Sequence, residues 1–218
     1  MSSQIELMIG GFLKSISAID FNSKCIADLG CGYGRWGHII RSEVDRHGQN
    51  AYIIGCDIYR PCLLRSKKYS PYDDLIVCDI TRLPFRQKSI SIIFALEVIE
   101  HLQKSEAQNT LKALEQCVQE TIIISTPWGY FPQGEIRNNI RERHLSSWKP
   151  EDFEKYGYRT LECGIGRGLE RIGKKLKIYR LLHKTMQAIS KEVEGGNTIF
   201  AQKKLADEAL ENSNRVQV

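Results

Sequence analysis

The sequence predicts a doubly wound α/β fold, in which helices cover both faces of a mostly parallel β-sheet. Three observations lead to this fold class. Short apolar runs alternate along the chain with segments of helical periodicity, as in parallel strands joined by helices. Glycine or aspartate follows each of the first three runs, where open sheets of this kind bind ligands. A length of 218 residues, 42% hydrophobic and 26% charged, suits one globular domain.

Each element has a local signal in the sequence. Apolar side chains at helical spacing predict a leading amphipathic helix over residues 1–19. Further helices are expected between the strands, and Ser105 with Gln108 is predicted to form a capping box for a helix that buries Val118. Apolar runs predict strands at 24–29, 51–57, 75–78, 90–94, 121–125, 158–163 and 198–202. Helices are predicted at 35–47, from Pro61, from Lys149 and over the basic residues 164–190.

The domain limits follow from the same pattern. We expect residues 1–202 to form a single domain and the polar tail 203–218 to be frayed. Residues 126–148 form a long polar segment after the fifth strand, with several aromatic and arginine side chains. A segment of this length inside a domain is usually functional or disordered. We therefore predict that it is an acceptor loop, which is a loop that covers the molecule on which the protein acts.

Cysteine usage and targeting signals bear on compartment and metal content. The seven cysteines include no C-x-x-C pair and lie mostly in apolar runs, as expected for buried thiols in a reducing compartment. Thiols and imidazoles do not cluster in the sequence, so we expect no metal site. The N-terminus lacks the pattern of a signal peptide, and no apolar run approaches the roughly 20 residues of a membrane span. These observations predict a cytoplasmic protein.

The net charge of +5 belongs to one segment. Residues 164–184 contain seven Lys or Arg and one Glu, which leaves the rest of the chain close to neutral. This segment could hold an anionic substrate, or residues 167–184 could contact a membrane surface as a basic helix. Nucleic acid stays open as a partner but is not favoured, because the aromatic side chains typical of single-strand grooves are missing there.

The residues that follow the first strand suit a nucleotide-like ligand. Asp28-Leu29-Gly30-Cys31-Gly32-Tyr33-Gly34 places alternate glycines where the backbone must turn tightly and approach a ligand. The next helix N-terminus offers unpaired N–H groups. Asp57 ends the second strand, where a carboxylate can accept hydrogen bonds from a ribose diol, and Asp79 with Ile80 follows the third.

An ordinary strand–helix turn and a nicotinamide dinucleotide site are alternative interpretations of this pattern. Residues 32–37 also satisfy G-x-G-x-x-G, the dinucleotide fingerprint. The acid before the glycines and Asp79 are not required by a dinucleotide site, however. They favour a ligand with an ammonium group and an adenine amine.

Four motifs in this order and spacing resemble the class I S-adenosylmethionine-dependent methyltransferases. They are DLGCGYG (28–34), GCDI (55–58), CDITRLPF (78–85) and ALEVIEHL (95–102). The resemblance is to the generic small-molecule type and covers about residues 20–165. STPWGYFPQ (125–133) with RHLSSWKPEDFEKYGY (143–158) resembles a subgroup found near cell-surface glycan genes.

This resemblance implies a Rossmann-like methyltransferase fold with seven strands in the order 3-2-1-4-5-7-6, the last antiparallel. It also implies S-adenosylmethionine as cofactor, with methionine, ribose and adenine held in turn after the first three strands. Ser91 stands where the family commonly has an Asp, at a position that is usually structural. The implied cofactor-binding residues are Asp28, Gly30, Cys31, Gly32, Gly34, Asp57, Ile58, Asp79, Ile80, Ala95 and Glu97.

The expected reaction is in-line methyl transfer to an oxygen or nitrogen of a small-molecule, glycan or lipid-linked acceptor. His144, His101 and Glu100 are the candidate catalytic residues, because some acceptors need a general base. Glu100 and His101 could instead cap a helix. Two other functions stay open: an NAD-dependent oxidoreductase and a non-catalytic S-adenosylmethionine-binding module.

Overall fold

The computed structural model describes residues 2–136, 138–163 and 198–205. Their elements alternate as the apolar pattern predicts, and three 3₁₀ turns, at 67–69, 99–101 and 140–142, connect some of them. The helices are α1 (Ser2–Ile16), α2 (Arg35–Arg46), α3 (Arg60–Ser66), α4 (Lys104–Cys117) and α5 (Pro150–Glu154). The strands are β1 (Lys24–Leu29), β2 (Ala51–Asp57), β3 (Asp74–Val77), β4 (Ile90–Leu96), β5 (Val118–Pro127), β6 (Arg159–Cys163) and β7 (Thr198–Lys204).

The strands form one seven-stranded sheet in the order β3-β2-β1-β4-β5-β7-β6. The first five strands in sequence pair in parallel, and β7 is antiparallel to both of its neighbours. The predicted fold class and strand order are therefore confirmed. Leu29 lies opposite Cys56 of β2 and Ala95 of β4, so the carboxyl ends of these strands meet at one edge.

The sheet separates two hydrophobic cores, because alternate side chains of each strand point to opposite faces. On one face Phe12 of α1 packs with Phe94 and with side chains of α2. On the other face Leu111 of α4 and Phe153 of α5 pack with Ile93. Full burial of an aliphatic or aromatic side chain of this size stabilises the fold by about 1.5–3 kcal/mol.

Several boundaries differ from the sequence-based prediction. The capping box of α4 is formed by Gln103 and Glu106, two residues before the predicted pair of Ser105 and Gln108. Val118 begins β5 and does not belong to the inner face of α4. At the N-terminus, α1 ends at Ile16, three residues before the predicted limit.

The last strand also continues past the predicted domain end at 202. Lys203 and Lys204 belong to β7, where they pair with β5. The Lys203 ammonium is buried, donates to the Tyr156 carbonyl at 2.8 Å and lies 3.1 Å from Glu115 Oε1. Lys203 is held in the sheet by its ion pair with Glu115 and by its backbone pairing with Ile122. The predicted fraying therefore cannot begin at residue 203.

Within the described ranges, no helix has both the length and the apolar character to cross a membrane. The predicted basic helix 164–190 and the predicted tail beyond residue 205 lie outside those ranges.

Candidate active site

A cavity of about 600 Å³ opens at the carboxyl edge of the sheet. Its walls are the segments that follow β1, β2, β3 and β4, together with residues 139–145. The volume lies within the range of about 300–1,000 Å³ found for small-molecule and cofactor sites. Of the residues predicted to bind a cofactor, Gly30, Cys31, Gly32, Asp57, Ile58, Asp79, Ile80 and Glu97 line this cavity.

Two positions near the start of α2 require glycine: Gly30 in the turn after β1, and Gly37 within α2. Gly30 has a φ of 68°, which side chains disfavour, and a Cβ placed there would lie 2.3 Å from Val98 Cγ2. At Gly37, in the first turns of α2, a Cβ would lie 2.3 Å from the Tyr72 ring. The absence of a side chain at Gly37 therefore leaves room for the Tyr72 ring.

Asp57 fixes the glycine turn and the start of α3 with one carboxylate. Its Oδ2 accepts from the Gly32 amide at 2.8 Å, and its Oδ1 accepts from the Tyr59 amide at 2.7 Å. Each carboxylate oxygen can accept a further hydrogen bond. The predicted ribose contact is therefore compatible with these bonds, and Asp57 also has a structural function that the sequence pattern did not separate from it.

Asp28 differs from its predicted placement. It is 1% exposed and does not line the cavity, and the Tyr72 hydroxyl donates to its Oδ2 at 2.5 Å. Burial raises the pKa of Asp28 from 3.8 to about 7; the Tyr72 hydroxyl bond lowers it, and the charge of Asp57 raises it. The physical reason for the placement is that Asp28 lies within β1, between β2 and β4, and points into the interior.

Asp79 lies at the end of the cavity beside Ile80. Its Oδ1 accepts from the amide and the hydroxyl of Thr81, at 2.9 and 2.7 Å. Burial alone would raise the pKa of Asp79, but these two bonds, with Arg141 and Arg82 nearby, hold it below the ordinary value. The side chain is therefore an ionised acceptor, as recognition of an exocyclic amine requires.

Glu97 directly follows β4 and has a φ of 58°, an unfavourable conformation for a non-glycine residue. The Ser125 hydroxyl donates to its Oε1 at 2.7 Å. Burial raises the pKa of Glu97 to about 7, whereas Ser125 and the charge of Arg35 lower it. Strain of this kind is frequent at functional sites, where the surrounding structure holds the residue in place.

Hydrogen bonds join the segment before α5 to the 3₁₀ turn at 99–101. The Glu100 carbonyl accepts from the amides of Leu145 and Ser146, at 2.8 and 3.0 Å. The His101 Nδ1 lies 3.1 Å from the Arg143 carbonyl. These bonds bring residues that are more than 40 positions apart to the same wall of the cavity.

The predicted acceptor loop 126–148 is only partly a loop. Its first two residues extend β5, and Trp148 at its other end is fully buried. The Trp148 ring stacks on Phe153 with a centroid distance of 5.0 Å, and the Lys104 ammonium lies 3.6 Å from the Trp148 ring centroid. The first residues pair in the sheet as part of β5, and Trp148 packs in the hydrophobic core. The part of the segment that borders the cavity lies between them, within residues 139–145.

The three predicted catalytic residues are brought together. His101 lines the cavity, and its neighbours Glu100 and His144 are not among the lining residues. The His101 and His144 rings are in edge contact, with centroids 5.0 Å apart. One nitrogen or oxygen atom from each of the three residues lies within 4.8 Å of the others.

Two other predicted cofactor residues do not line the cavity. Gly34 precedes α2 in the left-handed conformation, and Ala95 is buried within β4. Sequence reasoning did not identify several lining residues. Those in the glycine turn or after β2, where the position was a signal, are Tyr33, Arg35, Trp36 and Tyr59. Asn139, Ile140, Arg141, Glu142 and Arg143 lie within the predicted acceptor loop 126–148, which the sequence assigned only as a whole.

Residues 26–121 match the protein family described as "Methyltransferase domain". The Bos taurus protein named "Probable tRNA methyltransferase 9B" is 31% identical over 91 residues, which are 42% of this chain and 17% of that protein. This chain therefore matches less than a fifth of the length of that curated relative.

Solved structures share the fold over most of their length. A SAM dependent methyltransferase from Archaeoglobus fulgidus has a TM-score of 0.58 at 15% identity, over 91% of this chain and 94% of that chain. Magnesium protoporphyrin IX methyltransferase from Synechocystis, with bound SAH, has a TM-score of 0.57 at 12% identity, over 93% and 83% of the two chains. At these identities the likeness concerns the fold.

Proposed function

We propose that this chain, of which residues 26–121 match the methyltransferase-domain family, is a class I S-adenosylmethionine-dependent methyltransferase that methylates an oxygen or nitrogen of an anionic acceptor. The acceptor is a small molecule, a glycan or a lipid-linked molecule. The observation that carries this proposal is the cavity at the carboxyl edge of the sheet. Both cofactor-type groups and arginine side chains line it.

The lining residues that follow β1, β2 and β3 fit S-adenosylmethionine. The glycine turn leaves room for a ligand, Asp57 can accept from a ribose diol, and Asp79 Oδ2 has no donor among the described residues. Ile58 and Ile80 add apolar surface for the adenine ring. When bound, the cofactor supplies a sulfonium methyl group that an acceptor atom can attack in line.

The cavity lining also contains arginine side chains. Arg35, Arg141 and Arg143 line the cavity, and Arg143 is half-exposed, 3.5 Å from Glu135. Guanidinium groups bind carboxylates and phosphates with two parallel hydrogen bonds. An acceptor with such a group would be held by these arginine side chains, with its nucleophilic atom directed toward the cofactor.

The chain also provides groups that can take a proton. The acceptor atom forms a bond to the methyl carbon as the carbon–sulfur bond breaks, sulfur keeps the electron pair, and the acceptor loses one proton. Glu97 and His101 line the cavity and can accept that proton. Placement of the reacting atoms is itself a large part of catalysis in such displacements.

A methyl-transfer screen tests the proposal. The cofactor, labelled in its methyl group, is incubated with the protein and with separate RNA, lipid, glycan and small-molecule fractions. We expect label in one of the last three fractions and none with Asp57→Ala, whereas the exposed control Asp45→Ala is active. Label in the RNA fraction alone would replace the proposed acceptor class, since the bovine relative is named for tRNA.

Binding separates the two alternative functions. Adenosylhomocysteine should raise the melting temperature and NADH should not; the reverse result would favour an oxidoreductase. Binding of adenosylhomocysteine without label in any fraction would favour a non-catalytic binding module.

A further inference from the structure

One carboxylate and two imidazoles, all of which can bind a metal ion, lie close together beside the cavity. The sequence contains no motif that indicates a metal site. Glu100 and His101 are neighbours in the 3₁₀ turn after β4, and His144 joins them from the segment before α5. The three ligand atoms lie within 4.8 Å of one another. Ligands with bonds of about 2.0–2.2 Å to one ion lie about 3–3.5 Å apart, so small side-chain rotations close the set.

One oxygen of the buried Glu100 carboxylate lacks a hydrogen-bond partner among the described residues. This oxygen is Oε2, and the side chain is 2% exposed. Glu97 is a second carboxylate close by, and no lysine or arginine within the described ranges forms a salt bridge with either group. Buried carboxylates are usually paired or coordinate metals.

Both histidines are held in the tautomer that binds metal through Nε2. His101 Nδ1 lies 3.1 Å from the Arg143 carbonyl, and His144 Nδ1 lies 2.6 Å from the Phe131 carbonyl. A carbonyl oxygen can only accept, so each Nδ1 carries the proton and each Nε2 has a free lone pair. Metal-binding histidines almost always donate their other N–H in this way, often to a backbone carbonyl.

We propose that Glu100, His101 and His144 bind one divalent transition-metal ion at the wall of the methyl-transfer cavity. Two imidazoles and one carboxylate suit Mn²⁺, Co²⁺, Fe²⁺ or Zn²⁺, and three protein ligands leave coordination positions open. The proposal departs from the sequence-based expectation of no metal, which considered only ligands that cluster along the chain.

The ion narrows the acceptor class, and this step rests on the proposed methyl transfer. A hydroxyl oxygen at an open coordination position loses its proton more readily, because the cation stabilises the anion that forms. His101 is then a ligand, and Glu97 is the lining carboxylate that takes the proton. The expected acceptor is therefore an alcohol or a sugar hydroxyl.

Metal binding is measured on the whole, untagged protein after chelation and dialysis. We expect calorimetry with Mn²⁺ or Co²⁺ to give one ion per chain, and the visible spectrum of bound Co²⁺ to show mixed nitrogen and oxygen ligation. Glu100→Gln and His144→Gln should each weaken binding at least ~10-fold. His38→Gln, an exposed histidine of α2, is the matched control and should bind as the parent does.

Affinity for adenosylhomocysteine, measured in parallel, separates this proposal from the proposed function. Intact cofactor binding with no stoichiometric metal binding, or with equal metal binding in all variants, overturns the metal site alone. If the parent protein does not bind adenosylhomocysteine, the proposed function is wrong, whether or not the protein binds a metal ion. If Glu100→Gln does not fold, His101→Gln and His144→Gln decide the question.

Discussion

The buried Asp28 carboxylate should make the stability of the protein fall as the pH rises. Its pKa is raised from 3.8 to about 7, so between these values the folded state binds a proton that the unfolded state has lost. The contribution of Asp28 to the free energy of unfolding therefore decreases from about pH 4 to pH 7 and levels off above it. Three pKa units correspond to ~4 kcal/mol, since one unit is about 1.4 kcal/mol.

Asp28→Asn tests this magnitude, because asparagine has the same shape and cannot ionise. Its oxygen can still accept from the Tyr72 hydroxyl, whereas its amide group can lack an acceptor, at a cost of about 1–3 kcal/mol at every pH. The robust quantity is therefore the difference in unfolding free energy between variant and parent. This difference should change by ~4 kcal/mol in favour of the variant between pH 4 and pH 8.

The assay is urea unfolding without cofactor at a series of pH values. Asp45→Asn, at an exposed position of α2, is the matched control and should give a curve parallel to that of the parent. Tyr72→Phe removes the bond that lowers the pKa of Asp28, so the fall in its stability should continue to a higher pH than in the parent. Parallel curves for parent and Asp28→Asn would refute the reasoning.

Three further predictions concern the glycine turn, the ribose site and the last strand. Gly30→Ala should lower the free energy of unfolding by about 1–3 kcal/mol and prevent cofactor binding, because its Cβ would overlap Val98; denaturation and calorimetry measure the two effects. Asp57→Ala should weaken S-adenosylmethionine binding by roughly 2–4 kcal/mol, since hydrogen bonds to a charged group contribute about 1.5–3 kcal/mol each; unchanged affinity in calorimetry would contradict the ribose assignment. Deletion of residues 203–218 should lower the melting temperature, because it removes the end of β7 and leaves Glu115 without its buried lysine partner; deletion of 206–218 alone is the control, and equal melting temperatures for the two truncations would contradict the structural role of Lys203.

Strand positions and the location of the cavity could be predicted from the sequence. Apolar runs identify strands because their residues are buried on both faces of the sheet, and this signal is local. Asp57 and Asp79 follow such runs, and the carboxyl ends of parallel strands share an edge, so their approach to one cavity was predictable. The strand order came from resemblance to a family, since periodicity carries no information on which strands pair.

The sequence by itself determined the element types and the edge at which the cavity opens, and it identified a part of the residues that line the cavity. Only the tertiary structure decided which polar groups meet across long separations. Tyr72 reaches Asp28 beneath the glycine turn, and His144 reaches His101 because the Glu100 carbonyl holds the amides of the neighbouring segment. These contacts depend on the packing of distant segments, whereas local periodicity records only which face of each element is buried.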